Sequence, residues 1–385
     1  MSLALLGLVV MARRWFSNSY AEAAGRFAIG CQDLISAGHN VTHQRLKLGM
    51  KGPEAEELAI DIAVIGSLDS GKVLMSSSGV HGVEGYPGSA IQLSIMDKLA
   101  KSEPFESHAV IFIHAVNPYG MAWWRRFNEN NVDLNRNFLR LDELYSGVPD
   151  GYEAVKDFID PKTVPKKNEY SFNIRALLLV LKHGFSNLKQ AVAEGQYQYP
   201  AAIQYGGSKL EQGPSMLIDW LNINLAPIKQ IFAIDHHTGL GPSGHDTLLL
   251  PLGLRDKDFD KFVELQQLFP GHIELLSKTG VGYEIKGDIH QGLVNRFPDI
   301  SWTYLTQEFG TFKPIKVIRA NRDENRWTQW GDYVDEAGAK SHWSRLNLLR
   351  MFNPNDAIWQ DKIVSRGNAV FESATQYLLA QQDNC

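Results

Sequence analysis

Residues 76–87 read SSSGVHGVEGYP, with His81 and Glu84 three positions apart among Gly79, Gly82, Gly85 and Gly88. Strands are expected on the way in, at Glu54 to Val64 and Lys72 to Ser76, separated by the turn Leu68-Asp69-Ser70-Gly71. Glycine lets a backbone turn where other residues would be strained. A histidine and a glutamate on a strand exit of this kind can close on one metal ion. Catalytic zinc usually takes three protein ligands and keeps a position for water, so this pair asks for a third ligand elsewhere. Alone, a His-x-x-Glu match is commonplace on protein surfaces.

The surrounding chain supplies a frame for the pair. Gly88 to Ala100 has a helical apolar face in Ile91, Leu93, Ile95, Met96 and Leu99, and Ala109 to Val116 is a continuous apolar run suited to a buried strand of a largely parallel sheet. Strand, helix, strand is a βαβ unit, and such units carry active sites beyond the carboxyl ends of their strands. Further strands are expected at Ile228 to Ile234, Leu248 to Leu250 and Tyr304 to Phe309. Helices are expected at Tyr20 to Ala37, Met216 to Leu225, Phe259 to Leu268, Ala337 to Phe352 and Asn368 to Gln381. Residues 139–200 differ in character: an acidic, turn-rich start, a basic patch at Pro161 to Lys167 and a helix at Asn173 to His183. They read as a lid inserted into one catalytic domain over residues 16–385.

Composition sets outer limits. The chain has 385 residues, 44% apolar and 21% charged, with net charge −5 and no long basic run, so neither nucleic acid nor an anionic membrane is expected as a partner. Cys31 and Cys385 make no disulfide framework and no cysteine zinc site, which points to the cytoplasm. Leu3 to Met11 is apolar but far shorter than the ~20 residues of a membrane span, and its charges, Arg13 and Arg14, follow it where a secretory signal has them first. Met11 is read as the true start, with residues 1–15 as an N-terminal extension.

Three more segments fall at strand ends: NPYGMAWWRRFNENNVDLNRNF at 117–138, DHHTGLGP at 235–242, and TQEFGT at 306–311. A third imidazole from the second of these would complete a His₂Glu site. His236 and His237 are neighbours on a strand and face opposite ways, so only one can point at the ion.

Together these residues resemble the zinc carboxypeptidase (funnelin) superfamily, whose motifs run His-x-x-Glu, Asn-Pro-x-Gly, Arg up to Asp-x-Asn-Arg, a distant histidine and a late glutamate. The HGVEG, NPYGMAWWRR, DLNRNF, HTGLGP and EFGT segments are similar to a bacterial branch of it, usually catalogued as a domain of unknown function. The resemblance spans about residues 16–352 and implies a three-layer α/β/α fold with a mixed, mostly parallel central sheet of about eight strands. It implies one zinc ion on His81, Glu84 and His237, with Asp235 beside the last. It also implies Glu308 as general base acting on a metal-activated water, Arg126 as the group polarising the scissile carbonyl, and Asn135 with Arg136 gripping a substrate carboxylate. Trp302, Phe309 and Phe312 are expected to keep Glu308 dry and raise its pKa.

Other residues take plainer readings. Arg125 is expected to be structural, His114 a hydrogen-bonded core histidine, and Trp123 and Trp124 packing or a cleft wall. His245, His272 and His290 have no partner at metal spacing. Tyr205 and Tyr283 are candidates for a phenol that contacts substrate. The expected activity is hydrolysis of an amide next to a free carboxylate, in a peptide or an acyl amino acid. The rivals are an N-acyl amino acid deacylase of the aspartoacylase or succinylglutamate desuccinylase type, which would share the metal site, and a zinc-dependent binding protein without catalysis, which would have no need of Glu308.

Overall fold

The computed structural model describes residues 12–250, 256–275 and 285–381. Helix α1 (Tyr20–Ser36), whose first turn is capped by the Ser19 hydroxyl accepting from Glu22 N–H, precedes strands β1 (Val41–Lys51), β2 (Glu57–Gly66) and β3 (Lys72–Ser78). Helix α2 (Gly85–Leu99) and strand β4 (Ala109–His114) complete the expected βαβ unit, with β3 and β4 parallel. Next come α3 (Pro118–Trp123), then α4 (Tyr152–Ile159), α5 (Ser171–His183) and α6 (Phe185–Ala193) within residues 139–200, then α7 (Gln212–Asn224). Strands β5 (Gln230–Ser243) and β6 (Asp246–Leu250), helix α8 (Asp256–Leu268), strand β7 (Ile273–Leu275), helix α9 (Ile289–Arg296) and strand β8 (Ser301–Gly310) follow. Four helices end the chain: α10 (Pro314–Trp330), α11 (Glu336–Lys340), α12 (Trp343–Phe352) and α13 (Ala357–Ala380).

Strand alternation explains the layers. Ala63 and Ile65, Val110 and Phe112, and Phe232 and Ile234 face a cluster with Phe27 of α1, Ile91 of α2 and Ile363 of α13. The residues between them, Ile62 and Val64, Ile111 and Ile113, Ile231 and Ala233, face a second cluster with Leu217 and Leu221 of α7 and Leu293 of α9. A sheet apolar on both faces has to be covered on both, which makes the fold a three-layer α/β/α sandwich. The eight strands run in the order β1-β2-β4-β3-β5-β8-β6-β7. The central run β4-β3-β5-β8 is parallel throughout, and antiparallel pairs join β1 to β2, β2 to β4 and β6 to β8. The motif segments at 81–84, 117–136 and 235–238 and Glu308 therefore gather at the carboxyl ends of neighbouring parallel strands.

Besides α3, α4, α6, β7 and α9, none of which was expected, three elements depart from expectation. β1 was not expected; it is a polar strand that pairs only with β2 among the described residues. Nor was α10, which buries Asn321, Arg322, Asp323, Glu324, Asn325 and Arg326 where a helix usually buries an apolar stripe. The single helix expected over 337–352 breaks at Ser341-His342, where the His342 ring caps α12 by accepting from Ser344 N–H. Met1 to Met11, Tyr283 and Cys385 lie outside the described residues; Cys31 is buried with a free thiol. No described helix is long and apolar enough to cross a membrane.

Candidate metal centre

Two tight backbone approaches set the His81–Glu84 turn. Gly79 has φ +69, a left-handed conformation that suits glycine, and Gly82 lies so close to Gly120 that a Cβ there would meet its backbone at 2.0 Å. The turn is hydrogen-bonded to the chain it touches, Gly82 N–H to the Arg126 carbonyl and Val83 N–H to the Arg125 carbonyl. Asn117 fastens the other side: its Oδ1 accepts from Gly120 N–H at the start of α3, and its Nδ2 donates to the Arg126 carbonyl. The Asn-Pro-x-Gly segment is thus a helix cap that also positions Arg126.

His81, Glu84 and His237 converge, each buried, with one potential ligand atom apiece all within 4.8 Å of one another. Nδ1 of His81 is 2.9 Å from Glu84 Oε1, and Nδ1 of His237 is 3.2 Å from Glu84 Oε2. Each ring meets a further carboxylate through Nε2, His81 on Asp133 at 3.0 Å and His237 on Asp235 at 2.6 Å. His236 points away, its Nε2 3.0 Å from the Ser76 hydroxyl. Asp235 also accepts from the Ser77 hydroxyl, and Glu84 from Thr238 N–H.

Arg126 closes the group, with Nε donating to Asp133 and Nη1 to Glu84. Its Nη2 lies 2.7 Å from His81 Nε2, the nitrogen that Asp133 also contacts. One tautomer cannot serve both. A fully buried Asp133 carboxylate favours Nε2–H, which leaves Nδ1 as a lone-pair donor facing Glu84. Arg125, beside it, turns to Glu324 and Asn131 in a buried structural network.

The charges favour a cation. Burial pushes the Glu84 carboxyl up, but the His81 and His237 imidazoles outweigh it and hold it well below the usual carboxylate range. Asp133 is likewise held down, against burial, by Arg126 and His81. His237 is raised well above its ordinary value because Asp235 and Glu84 outweigh its burial. Glu308 pairs in register with His237 and takes its Oε1 bond from Leu240 N–H. Burial first, and then the Glu84 carboxylate, push it up to about 8. None of Trp302, Phe309 and Phe312 borders the cavity beside Glu308; Phe309 packs in the cluster with Ile234 and Phe312 is exposed.

Glu84, Asp133, Asp235 and Glu308 thus surround two imidazoles and one guanidinium, an arrangement that buried charge tolerates only when paired. His81 Nδ1, buried and 2.9 Å from Glu84 Oε1, makes no hydrogen bond of good geometry there. An imidazole nitrogen so placed, a second Nδ1 and a carboxylate within one ligand's reach fit a divalent metal, and the Nε2–carboxylate contacts are of the kind that orient metal-binding histidines.

The remaining candidates are less alike. Asn135 borders the cavity, its Oδ1 accepting from Ile289 N–H. Arg136 does not: its guanidinium donates to the Ala193 carbonyl at the end of α6 and to the Asn135 carbonyl. Tyr205 packs with Val132 and Leu134 in the core. His114 stacks on Phe27 and meets the Ser89 hydroxyl. Sequence reasoning gave Asp133 no role beyond marking a motif, although the aspartate of DLNRNF contacts both His81 and Arg126. It gave His290 no role either, although His290 borders the cavity.

A model of the DUF2817 family, described as a protein of unknown function, matches residues 16–366. No curated protein matches. Among solved structures, the chain is similar to carboxypeptidase A from Helicoverpa armigera at 14% identity and TM-score 0.47, covering 92% of this chain and 74% of that one. It is similar to an aspartoacylase family protein from Mesorhizobium loti at 13% identity and TM-score 0.38, covering 76% and 67%. It is also similar to murein-tripeptide amidase MpaA from Escherichia coli O157 at 15% identity and TM-score 0.35, covering 74% and 92%.

Proposed function

The chain belongs to the DUF2817 family, and we propose that it is a zinc-dependent hydrolase that cleaves an amide bond next to a free carboxylate, in the manner of a carboxypeptidase. The observation that carries this reading is the buried His81–Glu84–His237 group with Glu308 beside it. His81, Glu84 and His237 would hold the zinc ion, which when bound would supply Lewis acidity and lower the pKa of a water. Asp133 and Asp235 hold the two rings with their Nδ1 atoms turned to Glu84.

Glu308 takes the proton from the attacking water and delivers it to the leaving nitrogen. Its Oε1 is engaged by Leu240 N–H, so Oε2 carries the proton. Arg126, fixed through Nε to Asp133, reaches the oxygen on which charge develops by exchanging its Nη1 bond to Glu84 for that oxygen. Asn135 meets the substrate carboxylate from the cavity wall. Arg136 joins it by exchanging the Ala193 carbonyl for that carboxylate, a fork geometry arginine suits.

A second reading, deacylation of an N-acyl amino acid, keeps every residue in its role, and the large cavity beside the centre favours it. A binding protein without catalysis would have no use for a base at Glu308. Metal analysis and turnover of Glu308→Gln and Glu308→Ala test the mechanism. Zinc content should stay unchanged while turnover falls by roughly 10²–10⁴-fold. Undiminished turnover would remove Glu308 as the base, and protein purified without stoichiometric metal would remove the centre. A panel of peptides against N-acyl amino acids separates peptidase from deacylase.

A further inference from the structure

The cavity beside the His81–Glu84–His237 group measures about 500 Å³. Its far wall comes from residues 139–200: Phe158 and Ile159 of α4, Leu179 and Val180 of α5, and Leu188 and Val192 of α6. Asn135, Asp288 and His290 give it a polar corner at the start of α9, Gln204, Thr306 and Asn321 border it too, and Lys189 of α6 is the one charged group in an otherwise apolar wall from residues 139–200.

Its size decides between occupants. An apolar cavity of about 150 Å³ accepts one benzene ring, so a single amino-acid side chain would leave much of this space unfilled, even though the space also takes in the His81–Glu84–His237 group. Bare apolar surface forgoes the contacts that close packing gives elsewhere in a fold. Nor does the segment need it for folding, since Val155, Ile159 and Ala191 already close a cluster with Phe127 and Ile203. Helix α5 is apolar on two sides, with Leu179 and Val180 on the chamber and Ile174, Leu177 and Leu181 exposed. That is more apolar surface than an ordinary surface helix carries.

We propose that the chamber holds a long unbranched alkyl chain, so that the amide cleaved is that of an N-fatty-acyl amino acid; this rests on the hydrolase reading above and names its substrate. The amino-acid carboxylate lies at Asn135 and the chain runs beneath α4, α5 and α6. Water adds across the acyl C–N bond, the acyl carbon gaining the oxygen and leaving as a fatty-acid carboxylate, and the nitrogen taking the proton and leaving as the amine of the amino acid.

Two measurements keep the chain site apart from the hydrolysis. The first titrates the purified protein calorimetrically with hexanoate, octanoate, decanoate and dodecanoate. Affinity should rise along the series by up to about fourfold per methylene buried. The second compares kcat/KM for N-acetyl, N-hexanoyl and N-dodecanoyl amino acids, which should rise with chain length. Leu179→Trp, which fills the chamber without adding charge, should weaken the longest members of both series most.

Flat alkanoate affinity, faster turnover of the N-acetyl substrate, or a Leu179→Trp series identical to wild type would each overturn the proposal. So would a preference for lysyl amides, which would assign the wall to Asp288. Alkanoate binding that follows the series without hydrolysis of any acyl amino acid would uphold the chain site and remove the hydrolase reading.

Discussion

At the scale of single residues, the aspartates behind the imidazoles matter as much as the ligands. Asp133 joins His81 to Arg126, and Asp235 joins His237 to Ser77. Carboxylates in this position fix the tautomer and raise the basicity of a metal-binding ring. Asp133→Asn and Asp235→Asn should therefore each weaken zinc binding by about 10–100-fold, measured by competition with a chromogenic chelator. His236→Gln should leave that affinity unchanged, because the ring faces Ser76. A second residue prediction concerns pH. Asp160 accepts from Ile203 N–H and the Tyr152 hydroxyl, yet burial pushes it up to about 7. An unfolded aspartate releases its proton near pH ~3.9, while the folded one keeps it to about 7. The folded state binds more protons in that window, so stability falls as pH rises through it. Asp160→Asn, which keeps the Ile203 bond, should raise the melting temperature relative to wild type more at pH ~8 than at pH ~4, read by calorimetry at both.

At the scale of elements, the turn after β3 depends on the absence of a side chain. Gly82→Ala would press a Cβ into the Gly120 backbone at 2.0 Å. The turn must then open, carrying His81 and Glu84 apart, at a cost of about 1–3 kcal/mol. The variant should lose zinc before it loses its far-ultraviolet circular dichroism, and a variant that keeps full zinc would contradict the tightness of this contact. The same scale shows which elements could be read from sequence. Ala109 to His114 was legible because every residue in it is buried, and alternation left one of His236 and His237 for the ion, with the family resemblance naming His237. β1 was not legible, because an edge strand such as VTHQRLKLGMK needs no continuous apolar face. α10 was hidden for the opposite reason. Its buried side carries Arg322, Asp323, Glu324 and Arg326, matched to Glu169 and Arg125 from distant parts of the chain. No local pattern announces a buried face assembled from charges. Arg136 belongs here too, since its partner is the backbone of α6, which no motif encodes.

At the scale of the whole molecule, the site lies where α9, α10, α12 and the 139–200 segment meet, so metal binding and folding should be linked. A ligand that binds only the folded state stabilises it by about 2.7 kcal/mol at a hundredfold excess over Kd. The melting temperature should accordingly rise with the logarithm of zinc concentration, and His81→Ala should abolish that rise without lowering the chelator-treated value by more than a few degrees. The order of the strands carries a further consequence. Among the described residues the sheet ends at β1 on one side and β7 on the other. β1 is long, 11 residues, but carries Arg45, Lys47 and Lys51 exposed, while β7 has only 3 residues. Bare strand margins are templates on which neighbouring molecules polymerise, and lysines or brevity are what blunt them. Concentrated solutions should thus stay free of thioflavin-positive fibrils, and replacing Arg45, Lys47 and Lys51 together by valine should be enough to seed them.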